Sequence, residues 1–210
     1  TGGEEVPKPT FFNLPADKRE HIFNCALREF AEHPYEQASL TEIVNAAGIA
    51  KGSMYQYFAD KKDLYKYVVQ TVYQHKRSFL QPVWDKAGEI EFFELLSLYY
   101  RRSWRFARQF PYEHRVTVNF WDSRDEAVRA EILREREIRN VEFSGLLEHG
   151  SRAGVIAAEI DQEAAWFVYH AVGRALIDNF LEQDVSAEEH EVFIDSVLAI
   201  LEWGLRSRKG

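Results

Sequence analysis

Residues 39–62 read SLTEIVNAAGIAKGSMYQYFADKK. Ser39 and Glu42 have the spacing of a capping box, in which hydroxyl and carboxylate each satisfy one orphan N–H at a helix start. Such a cap is worth ~1 kcal/mol. Leu40, Ile43, Val44 and Ala47 then form a buried stripe, and Gly48 stands where a left-handed residue closes a helix. Only Ile49 and Ala50 separate this short helix from a second, Lys51 to Phe58. Two short helices joined by a tight, glycine-containing turn make a helix-turn-helix.

The second of these helices carries a patch of small, aromatic and basic residues. Met54 and Phe58 are its apolar i, i+4 pair and point inward. At ~100° per residue, Gln56 then points away from the core, with Gly52 and Ser53 beside it and Tyr55 and Tyr57 on opposite flanks. Lys51 stands in the first turn, and Lys61 follows at the head of the next helix. This surface suits the major groove. An amide can make a bidentate pair with adenine, Gly52 removes a side chain where the helix end must approach the duplex, and Ser53 can bond a phosphate or a base. Tyrosine hydroxyls, Lys61 and the N–H groups of helix starts can hold phosphates on either side. The competing structural reading is that Tyr55 and Tyr57 half-bury against the neighbouring helices.

Helical periodicity continues on both sides. In ADKREHIFNCALREFAEH, Ile22, Phe23, Ala26, Leu27 and Phe30 line one face. Pro34 ends that helix because the residue before a proline is pushed out of the helical region. Asp60 can cap a long helix on which Leu64, Val68, Thr71, Val72, His75 and Phe79 repeat along one face to about Trp84. Further helices are expected over 89–109, 112–121, 125–151, 161–182 and 187–207, with Pro111 dividing the first from the second and Ser186 and Glu189 forming another capping box. Sustained period-2 alternation, repeats and low-complexity tracts are lacking. The expected fold class is all-α.

Composition sets bounds on function. The 210 residues are 46% hydrophobic and 29% charged, enough for a sizeable core under a soluble surface. No apolar run approaches the ~18–20 residues that cross a bilayer, so no membrane association is expected. The opening TGGEEVPKPT lacks an apolar h-region and is not read as a secretion signal; it is left out of the fold reading. A single cysteine, Cys25, fits a reducing cytoplasm. The net charge of −8 argues against indiscriminate nucleic-acid binding. Residues 14–62 are nearly neutral, with six Lys/Arg against seven Asp/Glu, whereas 63–210 hold nineteen against twenty-five. An anion-binding surface must therefore be local.

From Ile22 to Val68 the chain resembles the DNA-binding domain of the tetracycline-repressor (TetR) family of bacterial transcriptional regulators. The matching parts are a helix with Ala26 and Phe30, then the Thr-Glu-Ile core, Ala-Gly-Ile, Lys-Gly-Ser, Tyr-x-Tyr-Phe and the following x-x-Lys of SLTEIVNAAGIAKGSMYQYFADKKDL. Two departures are visible: Ala50 stands where many members have Ser, and His33-Pro34 where a Gly often closes the first helix. The resemblance implies a helix-turn-helix domain over 14–62, joined by a long helix to a ligand-binding and dimerisation domain over 63–210. It implies sequence-specific binding of operator double-stranded DNA as a homodimer, usually repression, released by a small-molecule effector. DNA contacts would fall on Ser39, Thr41, Lys51, Gly52, Ser53, Tyr55, Gln56, Tyr57 and Lys61, with Tyr57 and Lys61 anchoring phosphates and Gln56 reading bases.

Residues 63–210 hold most of the Phe, Tyr and Trp. FFELLSLYYRRSWRFARQF is apolar nearly all round before its arginines, as in a helix buried on several sides. Aromatic walls with few polar groups suit a small-molecule pocket, and Trp104, Tyr112, His114, Asn119, Trp121, Phe143 and Tyr169 are the ligand-binding candidates; the alternative is that they only fill the core. Arg101, Arg102, Arg105 and Arg108 are either a solvated face paired with glutamates or a mouth for an anionic group. His170 and Arg174 have i, i+4 spacing. The last two helices carry stripes of Ala164, Val168, Ala171, Ala175 and Leu176, and of Phe193, Val197, Ile200 and Leu201. By the family resemblance this pair makes a four-helix bundle with its mate, where Ala171 and Gly173 would permit close approach. Two half-sites a helical turn apart, ~34 Å or a multiple, would multiply affinity.

An enzyme is not expected: there is no Gly-rich phosphate loop, no HExxH and no paired Cys, so no catalytic residue, metal site or cofactor is assigned. The alternative to a DNA-binding regulator is a helical ligand-binding or interaction protein that no longer reads DNA.

Overall fold

A computed structural model describes residues 7–134, 144–157, 159–181 and 186–205. The elements are helices, apart from one bridge pair between Ala87 and Ile90. In chain order they are α1 (Pro9–Phe12), α2 (Ala16–Glu32), α3 (Leu40–Ala46), α4 (Lys51–Tyr57), α5 (Lys61–Trp84), α6 (Phe92–Gln109), α7 (Pro111–Asp122), α8 (Glu126–Leu133), α9 (Ser144–Arg152), α10 (Gln162–Leu181) and α11 (Ala187–Leu205). The all-α expectation holds. Of the helix expected over 125–151, residues 135–143 lie outside the described residues.

The described residues pack as two compact units, those within 1–75 and 110–138, and those within 76–109 and 139–210. These units do not follow the sequence division at 62/63. Two side chains give the physical reason. The Asn119 amide on α7 donates to the Phe30 and Ala31 carbonyls at 2.9 and 3.0 Å, satisfying the orphan acceptors at the end of α2. Glu36, between α2 and α3, accepts from Ser123 Oγ and the Asp125 N–H at 2.8 and 2.9 Å. Helices α7 and α8 thus belong to the helix-turn-helix unit.

In this first unit α2 buries Ile22, Ala26, Leu27, Phe30 and Ala31, and it ends as the proline rule requires, with His33 extended before Pro34. The α3 cap differs from the expected box in one partner. Ser39 Oγ accepts from the Glu42 N–H, but the Ser39 N–H donates to Glu29 of α2 at 2.7 Å, not to Glu42. The cap therefore also ties α3 to α2. Gly48 takes φ +63°, the left-handed turn read from its position. Ala50 gives α4 no side-chain cap. At the head of α5, Asp60 accepts from the Asp63 N–H at 2.9 Å and Asp63 accepts from the Ala59 N–H at 3.1 Å. The core joins Ile22, Ile43, Met54 and Leu64 to the Phe30–Tyr65 ring pair, centroids 4.9 Å apart.

The second unit is built on α6, which buries Phe92, Leu95, Leu96, Tyr100, Trp104 and Phe106 among others. Tyr100 donates its hydroxyl to the Tyr169 carbonyl at 2.9 Å. Gly173 on α10 is buried over the same ring, and a Cβ there would collide with Tyr100 Cε1. The small residue expected to admit a partner's helix instead admits the chain's own α6. Arg102 Nε donates to the Phe79 carbonyl at 2.9 Å, just before Pro82 interrupts the hydrogen-bond ladder of α5.

Candidate functional site

Helix α4 owes its orientation to its inward pair. Met54 and Phe58 are each 1% exposed, which anchors the helix on the core. Gln56, Gly52 and Lys51 are then exposed, and Tyr55 is 44% exposed. A Cβ on Gly52 would meet nothing within 4 Å, so this side of the helix start is open for close approach. Ser53 is half-buried beside it. Across the turn Thr41 is exposed, and half-buried Ser39 serves as the α3 cap. Lys51 and Gln56 on α4 and Thr41 on α3 thus leave an ammonium, an amide and a hydroxyl exposed at or near the two short helices.

Two residues stand differently from their expected places. Tyr57 is buried at 7% exposure, its ring edge-on to Phe11 with centroids 5.9 Å apart. The flank predicted to be open is covered by Phe11, which belongs to the N-terminal segment left out of the sequence reading. Lys61 donates its ammonium to the Tyr35 and Ala38 carbonyls at 2.7 and 3.0 Å and lies over the Tyr35 ring. In place of a free phosphate anchor, Lys61 ties the head of α5 to the segment between α2 and α3. Residues 7–12 are the part that sequence reasoning missed. The signal was present: Pro9 at the first position of a helix, followed by the apolar pair Phe11-Phe12.

The ligand candidates divide between the units. Tyr112, His114, Asn119 and Trp121 all lie on α7, in the helix-turn-helix unit. Asn119 caps α2, so its amide is structural. Trp121 Nε1 donates to the Tyr73 hydroxyl at 2.9 Å. Tyr112, 40% exposed, accepts from Arg28 at 3.0 and 3.2 Å. His114 is half-buried. Trp104 and Tyr169 lie in the second unit, both buried. Phe143 lies outside the described residues. Trp104 stacks on His190, centroids 4.0 Å apart, with the Arg108 guanidinium over its ring. Burial pushes the His190 imidazole below its ordinary value. Ser103 Oγ and Trp104 Nε1 are buried with no hydrogen-bond partner among the described residues.

Two of the four arginines of the row pair with carboxylates, while Arg102 turns to a backbone carbonyl and Arg108 to the Trp104 ring. Arg101 pairs with Glu191 at 2.8 Å and Asp195 at 2.5 Å, Arg105 pairs with Glu191 at 2.9 Å, and Arg102 caps Phe79. Arg174 pairs with Asp178 on its own helix at 3.4 Å. Among the described residues, no group of three or more His, Cys, Asp or Glu is placed to hold a metal ion. No described helix is long and apolar enough to cross a membrane.

Residues 22–68 match the family of bacterial regulatory proteins called tetR. Over 49 residues the chain is 43% identical to the HTH-type transcriptional regulator AcrR of Shigella flexneri, a match covering 23% of each protein. The chain thus spans about a quarter of the length of the curated relatives it matches. Along nearly the whole chain, 97% of it and 100% of the other, it superposes on a TetR-family transcriptional regulator from Chloroflexus aurantiacus, at TM-score 0.74 and 29% identity. The fold is also shared with the transcriptional regulator FadR of Bacillus subtilis in complex with stearoyl-CoA, at TM-score 0.64 and 22% identity over 88% of this chain and 98% of that one. With the helix-turn-helix geometry and these similarities together, residues 22–68 are a DNA-binding segment of the tetR family of bacterial regulatory proteins, and the whole chain shares the fold of a TetR-family transcriptional regulator.

Proposed function

We propose that this chain is a sequence-specific DNA-binding regulator, a repressor released from its operator by a small hydrophobic or amphipathic ligand. The observation that carries the proposal is the outward face of α4, where Lys51, Gly52, Tyr55 and Gln56 are exposed while Met54 and Phe58 anchor the helix. The major groove of B-DNA admits an α-helix. Gln56 reads a base edge, Lys51 and Tyr55 hold phosphates, and Ser39, Thr41 and Ser53 contribute hydroxyls around the two helix starts.

A homodimer through α10 and α11 accounts for their exposed apolar side chains. Phe167 is 67% exposed, Val192 62%, Ile200 72% and Trp203 78%, too much large apolar surface for scattered chance. One seven-residue helix reads few bases, and a two-fold pair reads two half-sites. The dimer's acidic bodies, with nineteen Lys/Arg against twenty-five Asp/Glu over residues 63–210 of each chain, suppress contacts with unrelated DNA. This role places the protein in the cytoplasm.

The effector is held among the helices of the second unit, where the buried Trp104 N–H and Ser103 hydroxyl call for a hydrogen-bonding group. Apolar walls from α6 suit an amphipathic molecule, as does the bound stearoyl-CoA of the FadR relative. Release requires that the ligand prefer the state that cannot bind DNA.

Titration against genomic fragments, including the DNA upstream of its own gene, tests the proposal. The expected result is one class of fragment bound at least about a thousandfold more tightly than random DNA, with two chains per site. A protein that binds every fragment alike would be a helical ligand-binding protein without a reading function.

A further inference from the structure

Helix α4 has an unusual way of ending. It is seven residues long, too short to be stable by itself, and its N-cap Ala50 offers no side-chain bond. Like any helix it leaves its last four carbonyls without intrahelical donors. The Met54 carbonyl is closed by the Phe58 N–H at 2.9 Å. The other three are taken by the N-terminal segment. Lys8 Nζ donates to the Tyr55 carbonyl at 3.2 Å, Thr10 Oγ1 donates to the Gln56 carbonyl, and the Lys8 N–H donates to the Tyr57 carbonyl at 2.9 Å. The Lys8 ammonium also stands at the negative end of the helix dipole.

Phe11 fixes this segment in place. It is fully buried, with ring centroids 5.1 Å from Phe58, 5.3 Å from Tyr67 and 5.9 Å from Tyr57. It is a wedge between the end of α4 and the first turns of α5. The carbonyls held by Lys8 and Thr10 belong to Tyr55 and Gln56, the two residues whose side chains point outward from the reading face.

We infer that the segment Pro7–Phe12 is the C-terminal cap of the reading helix, and that Lys8 and Thr10 are positioning residues for base discrimination that act through the Tyr55 and Gln56 backbone. This rests on the proposal that α4 reads DNA. With the cap removed, the last turn of α4 frays and Gln56 loses its fixed position, while the core residues that hold the rest of the unit stay packed. Discrimination between operator and random DNA then falls, and the number of phosphates neutralised by lysine, which sets the salt slope, does not.

The test uses the full chain with Thr10→Val, Lys8→Met and the two combined, and Thr10→Ser as the rescue. Amide hydrogen exchange across residues 54–58 is expected to quicken in the combined variant by about tenfold or more, each lost bond weighing about fivefold, with residues 26–30 of α2 unchanged. The ratio of operator to random-DNA affinity falls by a similar factor at an unchanged salt slope, and Thr10→Ser restores both. Unchanged exchange at 54–58 overturns the cap, whatever DNA binding does. A salt slope that drops by about one in Lys8→Met, with the ratio intact, makes Lys8 a phosphate contact and overturns its positioning role. Wild-type protein that discriminates no fragment refutes the DNA-reading proposal and the specificity half of this inference, while the exchange result still decides the capping half.

Discussion

Gly173 illustrates how one absent side chain sets the packing of a unit. Its backbone φ lies outside the left-handed region, so the reason for glycine is space: a Cβ would collide with Tyr100 Cε1. Tyr100 cannot step aside cheaply, because it is 3% exposed and its hydroxyl is held by the Tyr169 carbonyl. Gly173→Ala is therefore expected to destabilise the protein by ~1–3 kcal/mol, the usual cost of overpacking, despite the better helix propensity of alanine. Urea denaturation checks this, and an unchanged or higher midpoint would show that α6 and α10 have slack there. The sequence marked Gly173 as a point of close approach, but the family resemblance assigned the approach to the mate's bundle, whereas the chain's own α6 lies there. Lys61 misled for a related reason. Its acceptors are the Tyr35 and Ala38 carbonyls, and backbone acceptors leave no trace in a sequence, so the lysine resembled an anchor for an outside anion.

Among the elements, the helix starts were the most legible. The caps at Ser39 and Ser186 were read from capping-box spacing and the cap at Asp60 from its place ahead of the long helix, and each is present. What joins one element to another was not legible. The second partner of the α3 cap is Glu29, ten residues upstream of Ser39, and the partner of the turn between α7 and α8 is Glu36. Burial raises the Glu36 carboxyl, but hydrogen bonds from its own N–H, Ser123 Oγ and the backbone of Asp125 and Arg124 outweigh it and hold the group below its ordinary value. A carboxyl depressed in the folded state adds stability above its unfolded pKa, about 4.3 for Glu, and that stability is lost as pH falls through the lower folded value. Unfolding midpoints measured between neutral and about pH 3 should therefore fall more steeply for wild type than for Glu36→Gln. Parallel profiles would mean that the α7–α8 turn is held by other contacts.

At the scale of the whole molecule, periodicity revealed the all-α class, but it could not assign α7 to a unit. The aromatic and polar residues of PYEHRVTVNFW were read as pocket walls. Four of the seven ligand candidates instead sit in the helix-turn-helix unit, two of them, Asn119 and Trp121, bound to α2 and α5. The stripes of α10 and α11 were legible as stripes, and they stay uncovered on the single chain, with Ile200 and Trp203 among the most exposed apolar residues. In the proposed homodimer a second copy of the chain would cover them, and the pair would present two α4 faces to one duplex. The central claim remains that Gln56 reads bases while its neighbours hold phosphates. Titrating wild type, Gln56→Ala and Lys51→Ala against operator and random duplex at several salt concentrations tests it most directly. Gln56→Ala should lose ~1–3 kcal/mol of discrimination and keep its salt slope, whereas Lys51→Ala should weaken both duplexes alike and lower the slope by ~1. Discrimination left intact by Gln56→Ala would contradict the account.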